Sequence, residues 1–377
     1  MSSPRLTLDT PPAAATWREH AVALSLLRGG RGTRAARLFK DLNDPTLQPA
    51  VPDDELPSRL AKELAIPVSE RAARWSEATE WARTHLASPR MRGVELVTCR
   101  DECYSALLRQ IADPPIVLWT RGTPALLTEP AIAIVGSRAA TPMALTVARR
   151  LGRELAQSGL VIVSGMARGV DGAAHEGALD VSGKTVAVLG SGVDVPYPKQ
   201  HESLASRIAA TGLIVSEFPP GTQPFPGNFP RRNRIISGVA RAVVVVEASE
   251  RSGSLITARL ALDQNREVLA VPGNVLSGRS RGCHQLIRDG AAIVESARDV
   301  LEQLGWARSS HPINTGGTNS LQLNELEETM ARGEPYSVDD LAGKTGQPVA
   351  TLLADLGILE LEGRIVRTTG GRYLRLD

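Results

Sequence analysis

Short apolar runs recur through the middle of the chain: Ala131–Val135, Leu160–Val163, Thr185–Leu189, Leu213–Val215, Ala242–Val246 and Val268–Val271. Polar residues do not alternate within them, so each predicts a strand buried on both faces. Between them lie amphipathic stretches such as Met143–Gln157 and Leu255–Gln264. Apolar strands alternating with helices predict a parallel sheet with right-handed crossovers. The expected fold class is therefore α/β, with a Rossmann-like parallel sheet core over residues 91–305.

The flanks read differently. Residues 16–90 predict a helical domain, with Trp17, Leu24, Leu27, Leu38, Leu60, Leu64, Trp75 and Trp81 as its core. Residues 1–15 are Pro- and Ala-rich without an apolar signal core, which predicts a disordered start and no export. Residues 306–320 include SSHPINTGGTNS, the composition of a linker. Residues 321–377 predict a winged helix: a helix Leu321–Ala331, a second capped by Ser337 with Asp340 three residues on, and a turn at Gly346. A helix Val349–Leu356 follows, then a hairpin pairing Ile358–Glu362 with Ile365–Thr368 across Gly363.

Composition changes this picture little. Lys and Arg total 43 against 41 Asp and Glu, a net charge of +2, so bulk charge does not announce a nucleic acid. Only five of the cations are lysines. No apolar stretch is long enough for a bilayer, so no membrane contact is expected. Cys99, Cys103 and Cys283 form no disulfide framework and fit a reducing, cytoplasmic setting. No pair among the six His has metal-ligand spacing, and neither a metal nor a cofactor is expected.

The strand ends carry the candidate chemistry. They run into Gly136-Ser137-Arg138, Ser164-Gly165, Gly190-Ser191-Gly192, Ser216-Glu217, Glu247-Ala248 and Pro272-Gly273. Ligands of open α/β sheets sit beyond the carboxyl ends of the strands. Gly and Ser there either let backbone N–H groups approach a phosphate or simply make tight turns. The first loop reads GSRAAT rather than G-x-G-x-x-G, and no P-loop motif is present.

Phe225–Ile236 (FPGNFPRRNRII) predicts a basic, aromatic loop. Three of the four Phe (Phe218, Phe225, Phe229) fall within twelve residues, beside Arg231, Arg232 and Arg234. Rings that stack on bases next to arginines that hold phosphates are the parts of a single-strand binder. Phe218 and Phe225 either do this or pin the loop to the sheet. Arg138 either contacts phosphate or pairs with an acid, and Arg234 has Glu247 as a possible carboxylate partner. Asp171 and His175, four apart on a helix, predict a structural hydrogen bond rather than a catalytic pair.

Taken together, IAIVGSRAAT, SGMARGVDGAAHEGAL, AVLGSGVDVPYP, SEFPPGTQPFPGNFPRRNRIISG, VVVEASERSGSLITARLALDQNREVLAVPG and LIRDGA resemble the DNA-processing protein A (Smf) family over about residues 91–305. The resemblance implies an extended Rossmann core with an N-terminal SAM-like domain and a C-terminal winged helix. It also implies a homodimer that binds single-stranded DNA and loads the RecA recombinase during natural transformation and homologous recombination. No enzymatic activity is established for that family. The DNA-binding positions it implies are Ser137, Arg138, Gly165, Ala167, Arg168, Gly169, Phe229, Arg231, Arg232, Arg234 and Gly253. His284 departs from the family pattern, which has Asn there.

The ends of the chain add two weaker readings. Leu26–Leu38, with Arg28, Arg31, Arg34 and Arg37, resembles a helix-hairpin-helix and serves either DNA or structure. The recognition helix Val349–Leu356 has no cation and carries Asp355, which points to protein contact or a modest duplex role. The competing functional class is a Rossmann-like nucleotide-processing enzyme of the nucleoside monophosphate phosphoribohydrolase type, with Glu247 as its base or nucleophile.

Overall fold

A computed structural model describes residues 12–27, 66–306, 326–331, 334–361, 364–368 and 371–375. The chain divides after Trp306 into two compact units. In the first, helices α1 (Pro12–Leu27) and α2 (Arg71–Leu86) precede strand β1 (Glu95–Thr98), the short helix α3 (Ala106–Arg109) and β2 (Val117–Gly122). Then come β3 (Ala131–Val135), α4 (Pro142–Gln157), β4 (Val161–Ser164), α5 (Val170–Asp180), β5 (Thr185–Leu189), α6 (Glu202–Thr211) and β6 (Leu213–Ser216). Helix α7 (Asn228–Val239), β7 (Ala242–Val245), α8 (Ser254–Asp263), β8 (Glu267–Ala270), α9 (Arg281–Arg288), β9 (Ala292–Ile293) and α10 (Ala297–Gln303) complete it.

The nine strands form one sheet in the order β1-β2-β6-β5-β4-β3-β7-β8-β9. From β6 to β9 every neighbouring pair is parallel, while β1–β2 and β2–β6 are antiparallel. The expected doubly wound core is thus present, extended by an antiparallel ribbon. Both sheet faces are buried, which is why the strands read as unbroken apolar runs. In β3, Ile132 and Ile134 enter the core beneath α4 and α5, while Ala133 and Val135 enter the opposite core. That opposite core also holds Ala21, Leu24 and Trp75 of the N-terminal helices. The order of strands reverses at β3 and β7, where a crevice opens beyond their carboxyl ends.

The basic, aromatic segment is a helix rather than a loop. Asn228 starts α7, and Pro230 sits in its first turn, where a missing N–H costs nothing and the ring's fixed φ suits a helix. Cys99 and Cys103 lie in turns after β1, and no metal-binding group of His, Cys, Asp and Glu occurs among the described residues.

The second unit has the three-stranded sheet β10-β12-β11 (Pro335–Tyr336, Tyr373–Arg375, Ile365–Arg367) with helices α11 (Val338–Thr345) and α12 (Val349–Leu361). Ser337 Oγ accepts from Asp340 N at 3.1 Å while Asp340 accepts from Ser337 N at 2.9 Å, the reciprocal cap its sequence predicts. Gly346 ends α11 with φ +69. One expectation is corrected: residues 358–361 continue α12 instead of forming a strand, because Leu352, Leu356 and Leu359 keep helical spacing into the core. The hairpin is made by β11 and β12. The helix-hairpin-helix reading beyond residue 27, the start of the chain and the linker at 307–320 lie outside the described residues. No helix among the described residues is long and apolar enough to cross a membrane.

His175 of α5 is fully buried against β5. Thr185 Oγ1 donates to Ile162 O at 2.6 Å, so His175 Nδ1 donates to that hydroxyl at 2.6 Å, and the ring holds its proton on Nδ1. Burial, aided by the charges of His201 and Arg232, pulls the imidazole from 6.5 down to about 3. Between those values the unfolded chain takes up a proton that the folded chain refuses. Stability therefore falls as pH drops through that window, by up to about 1.4 kcal/mol per unit from this group. Urea unfolding at about pH 7 and about pH 5 checks this, since His175→Gln should lose less stability between the two than the parent chain.

Candidate nucleic-acid interface

Beyond the carboxyl ends of β3 and β7 lies a cleft of about 550 Å³. The β3 loop brings Ser137 and Arg138, the β4 loop Ala167, and the start of α8 Gly253 and Ser254. Tyr197, Phe229 and the buried Asp171 and Arg232 complete the wall and floor. A narrow side slot adds Arg168, Gly165 and Pro198 beside Arg138 and Phe229.

The loops are tied by their own backbones. Ser137 N donates to Glu247 O at 2.7 Å, and Val170 N donates to Ser137 O at 3.2 Å. These bonds join the loops after β3, β4 and β7. Gly169 closes the arrangement at φ +80, and a Cβ there would lie 2.1 Å from Ser137 O. Asp171 Oδ2 accepts from Gly165 N at 3.1 Å and from Ala167 N at 3.4 Å. From the other side Arg232 Nη1 donates to Gly165 O at 2.7 Å and to Val188 O. Burial raises the Asp171 carboxyl, opposed by the charge of Arg232 and by the two backbone N–H groups. Burial likewise lowers the Arg232 guanidinium to about 10, so it stays charged at neutral pH.

The basic run therefore divides by role. Arg138 and Arg168 are exposed at the cleft. Arg232 and Arg234, expected among the DNA-binding positions, are buried, and Arg234 takes the alternative role of a carboxylate's structural partner. The helical turn drives both inward, toward backbone carbonyls and carboxylates that only the fold supplies. Arg234 pairs with Glu217 at 2.6 Å and Asp113 at 3.0 Å, not with Glu247. Arg231 is partly exposed and pairs with Glu217 at 3.1 Å. Arg138 lies over the Phe229 ring at 5.4 Å and makes no salt bridge among the described residues, although its charge acts on the Asp171 carboxyl.

Among the aromatics, Phe218 is half-buried beneath Arg231, with 5.5 Å between guanidinium and ring, while Phe225 is 64% exposed. Tyr197, which the sequence reading overlooked, is 45% exposed with its ring 5.6 Å from that of Phe229. Exposed Arg251 precedes the cleft residue Ser252, and Arg279 donates to Ala139 O at 2.6 Å next to Arg138. Both cations were also absent from the sequence-derived set. His284 Nε2 lies 3.0 Å from Gly273 O and 3.3 Å from Gly273 N, so the departing His itself holds the adjoining loop.

Glu247 is 4% exposed and holds Thr141, the N-cap of α4, accepting from Thr141 Oγ1 at 2.7 Å and from Thr141 N. That engagement weakens its reading as a general base. The cleft offers cations, rings and backbone N–H groups: it can hold a phosphodiester with its bases.

Fold and cleft together define a Rossmann-like α/β protein with a cationic, aromatic crevice at its switch point and a separate winged helix. The chain belongs to the DNA recombination-mediator protein A family, whose model matches residues 95–305, and a DprA winged helix domain model matches residues 325–371. It is 47% identical to DNA processing protein DprA of Streptococcus pneumoniae over 54% of this chain and 72% of that protein. It is 40% identical to Protein Smf of Escherichia coli over 74% and 77% of the two chains. Its structure resembles that of the S. pneumoniae DNA processing protein A with TM-score 0.66 and 35% identity, covering 76% of this chain and 97% of the other. A Helicobacter pylori DNA processing protein A, described for its single-stranded DNA binding mode, matches with TM-score 0.51 and 32% identity over 56% and 95%.

Gly169→Ala should destabilise the first unit by about 1–3 kcal/mol, since the Cβ meets Ser137 O in a backbone region open essentially to glycine. Chemical denaturation measures it, and a loss under 0.5 kcal/mol, about the size of an ordinary surface substitution, would show that the loop relaxes.

Proposed function

We propose that the chain binds single-stranded DNA in the cleft at the carboxyl ends of β3 and β7. As a homodimer in the cytoplasm, it hands that strand to the RecA recombinase during transformation and homologous recombination, without chemistry on the DNA. The observation that carries the reading is one juxtaposition. Exposed Arg138 reaches over the Phe229 ring, and Tyr197 stands beside the same ring. A guanidinium for the backbone and two rings for bases lie within one nucleotide's reach. Ser137, Ala167 and Gly253 add close-approach backbone, and Arg168 a second cation, whereas Gly169 lines a different surface pocket and acts by shaping the loop. The family membership and the single-strand theme of the H. pylori relative point the same way.

Fluorescence anisotropy with a labelled oligothymidylate tests the reading across a salt series. Arg138→Ala should weaken binding and reduce the magnitude of the log K against log salt slope by about one. Phe229→Ala and Tyr197→Ala should each cost about 1–3 kcal/mol with the slope unchanged. Equal affinity of parent and Arg138→Ala at every salt concentration would remove the cleft from the reading. Faster nucleation of RecA filaments on the same oligonucleotide would support delivery, and sedimentation equilibrium reports the homodimer.

A further inference from the structure

We propose that Asp171 and Arg232 act as one positioning clamp, which holds the loop at 165–169 and helix α7 in a single register so that Arg138 and Phe229 meet a strand together. The proposal rests on the single-strand reading above and assigns the two buried charges a task within it.

The geometry is specific to the Gly165 peptide. Asp171 arrives from α5 and takes its N–H, while Arg232 arrives from α7 and gives to its carbonyl. The two side chains form no direct ion pair among the described residues, but their opposite charges act on each other across that peptide. A Cβ on Gly165 would lie 2.7 Å from the guanidinium, so the residue must be glycine for Arg232 to lie against it. The next residue, Met166, is fully buried at φ 56, a backbone state that needs outside restraint in a residue other than glycine. His201 Nδ1 adds a contact to Met166 O at 2.9 Å.

The clamp reaches both working groups. Phe229 precedes Arg232 by one turn of α7, so whatever fixes Arg232 fixes the ring. On the loop side, Val170 N holds Ser137 O, the residue before Arg138. Arg232 Nη1 serves two carbonyls and Nε contacts Asn233 Oδ1 at 3.3 Å, an arrangement for holding protein. Apolar residues of similar volume would fill this space at least as favourably, so the paired charges are read as fixing register.

Binding of a labelled oligothymidylate to the full chain across a salt series tests the clamp, using Asp171→Asn, Arg232→Gln, the double variant and Arg138→Ala. Each single change should cost about tenfold or more in affinity at the parent's salt slope, because contacts are misplaced rather than removed. The double variant should lose little more than the worse single change, since both side chains act on the one peptide. A slope drop for Arg232→Gln as large as that for Arg138→Ala would make Arg232 a phosphate ligand and overturn the clamp. Additive losses in the double variant would overturn it as well.

Should Arg232→Gln fail to fold, amide exchange in DNA-free Asp171→Asn decides. Lost protection confined to Gly165, Ala167 and the first turns of α7 supports the clamp, and unchanged protection overturns it. Failure of the parent chain itself to bind the oligonucleotide would defeat the single-strand reading, while the exchange result would still judge the mechanical coupling.

Discussion

The peptide of Gly165 lies between a buried carboxylate and a buried guanidinium, and the geometry of the cleft follows from how that contact is satisfied. Asp171 takes its N–H and Arg232 its carbonyl, which ties the end of β4 to helices on opposite faces of the sheet. Charged groups leave water only where hydrogen bonds and an opposite charge compensate them. Here the backbone supplies the bonds and the two residues supply each other's charge. The requirement is mutual: the loop keeps Met166 at positive φ because Asp171 bonds the amides on either side of it.

A second ionic layer carries α7 outward from that point. Arg234 and Arg231 share Glu217, which is itself nearly buried at the end of β6, and Arg234 also reaches Asp113 ahead of β2. The helix is thus pinned along its length to β4, β5, β6 and the edge ribbon. Arginine suits this work, since its planar fork meets two acceptors at fixed angles. With a net charge of only +2, the protein depends on where its cations sit. Those directed inward shape the cleft, and those directed outward at Arg138 and Arg168 give it its field.

Much of this was legible in the sequence, and the exceptions share a cause. Strands β3 to β8 showed themselves because both faces are buried, so their whole length is apolar. The antiparallel strands β1 (ELVT) and β2 (VLWTRG) mix polar and apolar positions, and β9 has two residues, too few for any pattern. Helix α7 was taken for a loop because Pro226, Pro230 and three arginines mask its apolar face, which is Ile235, Ile236 and Val239. The positions around the cleft could be named, but not their directions. Arg232 is buried by carbonyls 67 and 44 residues away, a fact no local pattern holds. Tyr197 sits alone between prolines in VDVPYPKQ and gives no cluster to notice.

The winged-helix unit sharpens the assignment by contrast. Helix α12, in the recognition position, presents Val349 and Leu353 at 47% and 48% exposure and has no Lys or Arg. Of the arginines around the wing, Arg364 and Arg375 both turn to Glu327, while Arg372 is exposed. A duplex-reading helix needs cations to neutralise phosphates before any base edge can be read. Helix α12 thus sits in the place of a duplex-reading helix without cations of its own, whereas the Rossmann cleft has cations without a groove-filling helix. Stacking rings beside a guanidinium suit bases that are already unpaired, because a duplex keeps its faces stacked on one another. On that chemistry the Rossmann cleft suits an unpaired strand, the polymer proposed for it.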